Sequence, residues 1–268
     1  ISSGTVGATL GITIGGILML IIAVGYGALT AKFPVSGGEF AFTYAGFGKF
    51  AAFIASWFLV LGYICVVALN ASAFSLLFKF VLPDFLEVGY LYTIAGWDVY
   101  IMEVILSTVI LIIFAWISMK GSGLSGNFQF IFCLFMALVV AGLFVLSFFV
   151  GEFSFENVQP LFHETDGVWK SIILIVAIAP WMYVGFDNIP QAAEEFKFSA
   201  DKTFKLIVFG IIASIITYVA MILVTSWIYP DQNSMDGAVW GTGSVIQNSM
   251  GIIGLMFLTF AITFGVFT

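Results

Sequence analysis

The stretch Trp181-Met-Tyr-Val-Gly-Phe-Asp-Asn-Ile-Pro-Gln-Ala-Ala-Glu-Glu195 sets a carboxylate, a glycine and a proline inside a segment that otherwise reads as membrane-spanning. Isoleucine, leucine and valine dominate the run from Ser171 to Ala179, which Pro180, Gly185 and Pro190 then interrupt. Asp187 lies ten residues before Lys197. At about 1.5 Å per residue that is roughly 15 Å, half the hydrocarbon thickness of a bilayer. A charge at that depth costs about 2.5 to 3.5 kcal/mol on insertion scales, so such groups face protein or a wet cavity. A helix broken there frees N–H and C=O groups that lipid cannot satisfy. Freed backbone of this kind holds polar solutes and ions in membrane proteins, and the stretch is a candidate solute site.

Composition fixes the medium. Hydrophobic residues make up 62% of the 268-residue chain and charged residues only 9%, too few to cover a water-facing surface. An integral membrane protein follows. The formal net charge of −7 does not suggest nucleic acid, because the acids lie scattered between apolar runs. Cys65 and Cys133 both fall inside such runs and read as small buried hydrophobes. No disulfide framework, zinc spacing or cofactor motif is evident, and the lone His163 makes no metal cluster. Nor is there a nucleophile–base pairing or a Gly-rich phosphate loop, so an enzyme is not expected. The chain opens on Ile1-Ser-Ser-Gly rather than methionine, shows no signal-cleavage pattern and closes in an apolar run at Phe267-Thr268. A piece of a longer protein is expected, forming a single transmembrane domain over 1–268.

Uncharged runs long enough to cross mark seven helices, over about 8–31, 50–78, 99–119, 123–150, 171–196 (discontinuous), 204–228 and 243–267. The fourth boundary rests on Lys120 and the turn Gly121-Ser-Gly-Leu-Ser-Gly126. In the first run Gly7, Gly11, Gly15, Gly16, Gly25 and Gly27 recur at spacings that favour close helix contact, although glycine is common in membrane helices generally. Lysines set the topology. Lys32 and Lys49 flank one loop, Lys120 marks another, and Lys197, Lys202 and Lys205 a third, and these should be cytoplasmic. The opposite loops carry Asp84, Glu87, Asp98, Glu152, Glu156, Glu164, Asp166, Asp231 and Asp236, with only Lys79 and Lys170 beside them. A multi-pass protein of the cell membrane is expected, with the first residue outside and the last inside. All eight basic residues are lysine, so no arginine clamps a carboxylate.

The loop after the first span reads Phe33-Pro-Val-Ser-Gly-Gly-Glu-Phe-Ala-Phe-Thr-Tyr-Ala-Gly-Phe-Gly48. Pro34 ends the helix, Gly37-Gly38 permits a tight turn, and Glu39 starts a short interfacial helix with its charge at the N-terminal dipole. By itself this is a well-capped loop. Together with Tyr183-Val-Gly-Phe-Asp-Asn-Ile-Pro-Gln-Ala-Ala-Glu-Glu195 it resembles the permeases of the amino acid–polyamine–organocation superfamily. The first motif is similar to their loop after the second helix. The other is similar to their sixth helix, where an aromatic-rich turn precedes Gly-Phe-Asp or Gly-Phe-Glu and a Glu-Glu pair follows. The motifs stand in the family's order, separated by the expected number of spans, and the resemblance covers helices two to eight of about twelve.

The resemblance implies an all-α, five-plus-five inverted-repeat transporter whose first and sixth helices unwind at the midplane, the former expected before Ile1. It implies alternating-access transport of amino acids, proton-coupled or by exchange, with a small-molecule substrate and no cofactor. Trp181, Met182, Tyr183, Val184 and Gly185 would form the surviving half of the substrate site. Carbonyls around Trp181 and Val184 would meet the substrate ammonium, the rings of Trp181 or Tyr183 would pack on the substrate, and Gly185 would permit close approach. Asp187 is the coupling candidate, or else a neutral or hydrogen-bonded structural acid that ties the broken helix to a neighbour. On the second span Tyr63 and Val67 are pocket candidates and Asn70 is a helix–helix contact. Glu194 and Glu195 read as cytoplasmic surface or gate charges. Two departures from the family stand out: Met136 occupies the place of a lysine that replaces sodium in some members, and the loop from Lys79 to Asp98 lacks the cysteine that joins a heavy chain. No disulfide-linked partner is therefore expected. An amine or polyamine permease of the same fold is the alternative. A seven-helix receptor or retinal protein is the remote one, since Gly237 to Thr268 offers no lysine for a Schiff base.

Overall fold

Where the solvent offers no hydrogen bonds, an apolar run closes its own backbone ladder or does not cross. The computed structural model describes residues 3–94, 96–120, 122–150, 153–162, 167–195, 198–228 and 240–266, and the apolar runs among them are helices. Glu152, His163, Glu164, Asp166, Lys197, Asp231 and Asp236, read above as loop groups, lie outside the described residues. In chain order the elements are α1 (Thr5–Lys32), α2 (Glu39–Val81), α3 (Pro83–Leu86), β1 (Tyr90–Ile94), β2 (Trp97–Tyr100), α4 (Ile101–Met119), α5 (Ser122–Ser147), α6 (Gly167–Met182), α7 (Asn188–Gln191), α8 (Thr203–Ile228) and α9 (Gly241–Val266). Among the described residues, α1, α2, α4, α5, α8 and α9 are long and apolar enough to cross a membrane, and α6 is a shorter apolar helix. The protein is an all-α polytopic membrane protein. Its contacts divide it into two compact units, Ile1–Gly62 with Phe153–Asp236, and Tyr63–Glu152 with Gly237–Thr268.

The first unit is built around α1. Gly7, Gly11 and Gly15 recur at every fourth position and so line one face of the helix. That face lies against Ser171, Ile175 and Ala179 of α6, also four apart; a Cβ at these glycines would stand 3.0, 2.5 and 2.1 Å from the facing Cβ atoms. The two backbones approach as only small residues permit, the contact type that associates helices in lipid. On its other side α1 packs on α8, with Ile12, Met19, Ala23, Ile207 and Ile211 in one buried cluster. Thr5 Oγ1 donates to Ser226 Oγ of α8 at 2.9 Å. The first amides of α1 would be orphaned by helix geometry, but those of Thr5, Val6 and Gly7 donate to the carbonyls of Pro160 and Leu161. The Trp227 carbonyl at the end of α8 accepts from Ser154 N–H and Asn157 Nδ2. Gly48, at φ 83°, interrupts α2 and sets off residues 39–47 from the long apolar stretch that follows.

In the second unit α2 meets α4 through small polar groups. Ser75 Oγ donates to the Glu103 carbonyl, and Ser107 Oγ donates to that of Ala71. Phe132 of α5 stacks on Phe264 of α9 at 4.6 Å. The reading of the sequence missed the antiparallel hairpin β1–β2 and started the third span at 99. Aromatic and β-branched residues on both sides of Gly96 were the available signal. The base of the hairpin is fastened electrostatically: Lys79 Nζ lies 3.2 Å from Glu103 Oε1, donates to the Asp98 carbonyl and sits over the Tyr100 ring. The cysteines need correction. Cys65 and Cys133 are both free and exposed, because in a bilayer an apolar side chain gains by facing lipid as well as by facing protein.

The glycine face of α1 yields a direct test. Gly15→Val should destabilise the protein by roughly 1–3 kcal/mol through overpacking against Ala179. Gly25→Ala, where no atom stands within 4 Å of the added Cβ, should change it by less than about 0.5 kcal/mol. Thermal unfolding of the two variants in detergent checks the contrast.

Candidate functional site

Proline, glycine and a short side-chain bond together cut the sixth helix. Pro180 brings no N–H to the ladder of α6 and crowds the preceding turn. Tyr183 N–H still reaches the Ala179 carbonyl, but Val184 N–H turns back to that of Trp181 at 3.4 Å, an i→i+3 bond. Gly185 follows at φ 122°, a conformation other residues adopt only under strain. The ladder resumes with Asn188 N–H on the Gly185 carbonyl, giving the four-residue α7 and the 3₁₀ turn Ala193–Glu195. Residues 183–187 are therefore irregular backbone within an apolar sequence. Among the described residues the carbonyls of Tyr183 and Val184 accept no hydrogen bond.

Neighbouring helices hold this break in place. Tyr183 is 4% exposed, and its hydroxyl donates to the Ile12 carbonyl of α1 at 3.0 Å. Its ring stands edge-on to Tyr218 of α8, whose hydroxyl donates to the Met182 carbonyl at 2.7 Å. Asp187 Oδ1 accepts from Gly185 N–H at 2.9 Å, so the acid spans the turn it follows. Phe186 meets Tyr26 of α1 edge-on at 5.3 Å.

The expected site residues thus divide by environment. Trp181 and Val184 are exposed, 53% and 46%, beside the bare carbonyls. Met182, Gly185 and Asp187 are half-buried, and Tyr183 belongs to the packed core. Tyr63 and Val67 lie on α2 in the other unit, one half-buried and the other exposed, as is Asn70. Glu194 and Glu195 are exposed. Among the described residues no His, Cys, Asp and Glu cluster could hold a metal ion. The second unit contains an apolar groove of about 750 Å³ between α5 and α9, lined by residues such as Phe135, Leu143 and Phe257. It offers no charged group to a polar solute.

Sequence reasoning missed Tyr218. Its signal was a hydroxyl inside an apolar run, where a partner must come from protein because water is absent. It also missed the seating of the Gly37-Gly38 turn on α7. Gly37 N–H donates to the Gln191 carbonyl, and Gln191 Nε2 donates to Glu39 Oε2 at 2.8 Å.

The sequence profile of the family described as Amino acid permease matches residues 2–268. The chain is 23% identical over 231 residues to the branched-chain amino acid permease BcaP of Bacillus subtilis (strain 168), covering 84% of this chain and 48% of that protein. It is 26% identical over 238 residues to the methylthioribose transporter of the same organism, covering 85% and 50%. The chain spans about half the length of these curated relatives.

If Tyr218 pins the break, Tyr218→Phe should cost about 1 kcal/mol and speed amide exchange at residues 184–188. Exchange at these amides equal to that of the wild type would show that the hydroxyl does not hold the turn.

Proposed function

This chain belongs to the amino acid permease family, and we propose that it handles the substrate in a secondary transporter moving amino acids across the membrane by alternating access. One observation carries the reading. The irregular backbone at 183–187 leaves two carbonyls without partners in a chain otherwise built for lipid, and Trp181 and Val184 flank them openly. A carbonyl pair of this kind receives an ammonium by hydrogen bond and charge–dipole attraction, and bare backbone at membrane depth is otherwise unfavourable. Trp181 supplies a ring face for the substrate, and Gly185 gives the turn its shape. Tyr183 contributes its carbonyl rather than its ring, which α1 and α8 enclose. Tyr63 and Val67 remain pocket candidates through the resemblance.

Asp187 takes the coupling role in this proposal. Its carboxylate bonds the Gly185 amide, so a change in its proton occupancy acts directly on the turn beside the carbonyls. The lysine pattern orients the protein with its first residue outside and α7 toward the cytoplasm. The inverted repeat and the single transmembrane domain belong to the same proposal. Amino acids are preferred to amines because the family and one relative carry that substrate class in their names. The methylthioribose relative makes a hydroxyl-rich solute the competitor to include.

The test is uptake into proteoliposomes by the full-length protein that contains this chain. Labelled branched-chain amino acids should accumulate under an inward proton gradient, with competition by other amino acids and little by polyamines or methylthioribose. Asp187→Asn should abolish gradient-driven accumulation and leave amino acid exchange. Preferential uptake of polyamine would replace the substrate class, and unaltered proton dependence in Asp187→Asn would remove that residue from coupling.

A further inference from the structure

The substrate reading leaves the Gly37-Gly38-Glu39 motif unused, although the structure brings it to the broken helix. Glu39 begins α2, yet its carboxyl is enclosed by residues from two other elements. Gln191, the last residue of α7, donates to Oε2 at 2.8 Å, and the Tyr26 hydroxyl of α1 hydrogen-bonds the same carboxyl. Oε1 is buried and has no hydrogen-bond partner. Asp187 lies near enough to act on the group electrostatically. Among the described residues no lysine forms an ion pair with Glu39. The groups facing it are therefore the Tyr26 phenol, the Glu39 backbone N–H, the Gln191 amide and a second acid. Lys32, Glu194 and Glu195, the nearest charges along these elements, are exposed.

A second acid acting on Glu39 and the lack of a paired cation among the described residues both disfavour a charge on its carboxyl. A buried acid oxygen with no donor is also the place where a proton removes an unfavourable charge. The seating is mechanical as well. Gly37 N–H donates to the Gln191 carbonyl, and a Cβ on Gly38 would stand 3.3 Å from Gln191 Cγ, so the turn lies directly on the end of α7.

We propose that Glu39 is a positioning residue, a protonatable latch that fastens the Gly37-Gly38 turn to the far half of the broken helix. The proton is drawn from bulk water and returned to it. With the proton present Glu39 is neutral and the latch stays closed on Gln191. With it lost, a charge is left on a buried oxygen that has no ion-pair partner among the described residues, and the far half of the helix is released. This rests on the transport reading for its consequence and on the Glu39 environment alone for its chemistry.

The experiment uses the full-length protein with Glu39→Gln, which preserves shape and the acceptor for Gln191 but cannot titrate. In proteoliposomes, wild-type uptake should differ several-fold between mildly acidic and neutral pH, and in Glu39→Gln that ratio should fall, the remainder belonging to Asp187. In detergent, infrared difference spectra on a pH step should show a protonated-carboxyl C=O band that Glu39→Gln removes, a readout that needs no transport. A Glu39→Gln pH profile superimposable on wild type, or an unchanged carboxyl band, overturns the latch. Absence of any amino acid uptake by the wild type instead overturns the transport reading, and the infrared band still decides Glu39.

Discussion

Lipid offers a peptide group nothing, and most of this structure follows from that. Each apolar run closes its own ladder because an unsatisfied N–H or C=O in hydrocarbon costs several kcal/mol. Where the ladder fails, at residues 183–187, protein groups replace it one by one: the Tyr218 hydroxyl on the Met182 carbonyl, Asp187 on the Gly185 amide, and the Trp181 carbonyl under Val184 N–H. What these substitutions leave bare is small and localised. Among the described residues it is the carbonyls of Tyr183 and Val184, the pair that the proposed function gives to the substrate.

Since lipid is as apolar as leucine, helix association here depends on shape and on hydroxyls. The glycine face of α1 lets α6 approach closely enough for Tyr183 to reach the Ile12 carbonyl from the far end of that contact. Gly16 extends the same logic, since a Cβ there would stand 2.9 Å from the Tyr183 hydroxyl. Both halves of the broken helix are packed, and the far half is held in addition by the Gln191 bonds to Gly37 and Glu39. These two kinds of hold respond differently to charge, and only the second can be undone by a proton.

The break itself was legible, because Pro180, Gly185 and Pro190 act locally and need no knowledge of neighbours. So were the long apolar helices, which hydropathy reports directly. Which face each helix presents was not, because a span that is apolar all round carries no stripe to read. That is why Cys65 and Cys133 were placed inside and why the lodging of the Tyr183 ring between α1 and α8 went unread. The bond between Gln191 and Glu39 joins residues 152 positions apart, beyond any periodic signal. The hairpin escaped for a different reason: its residues were read largely as a loop between spans, and the seven aromatic or β-branched positions of its strands do not outweigh the hydropathy on either side.

Gly48 makes α2 a jointed object rather than a rod. As a straight helix its 43 residues would measure about 65 Å, twice the hydrocarbon depth of a membrane. A swivel at φ 83° with open space around it separates the first nine residues from that length and frees their direction. Glu39 sits at the tip of this short arm. The kink thus gives the carboxyl a direction of its own, independent of the long helix behind it.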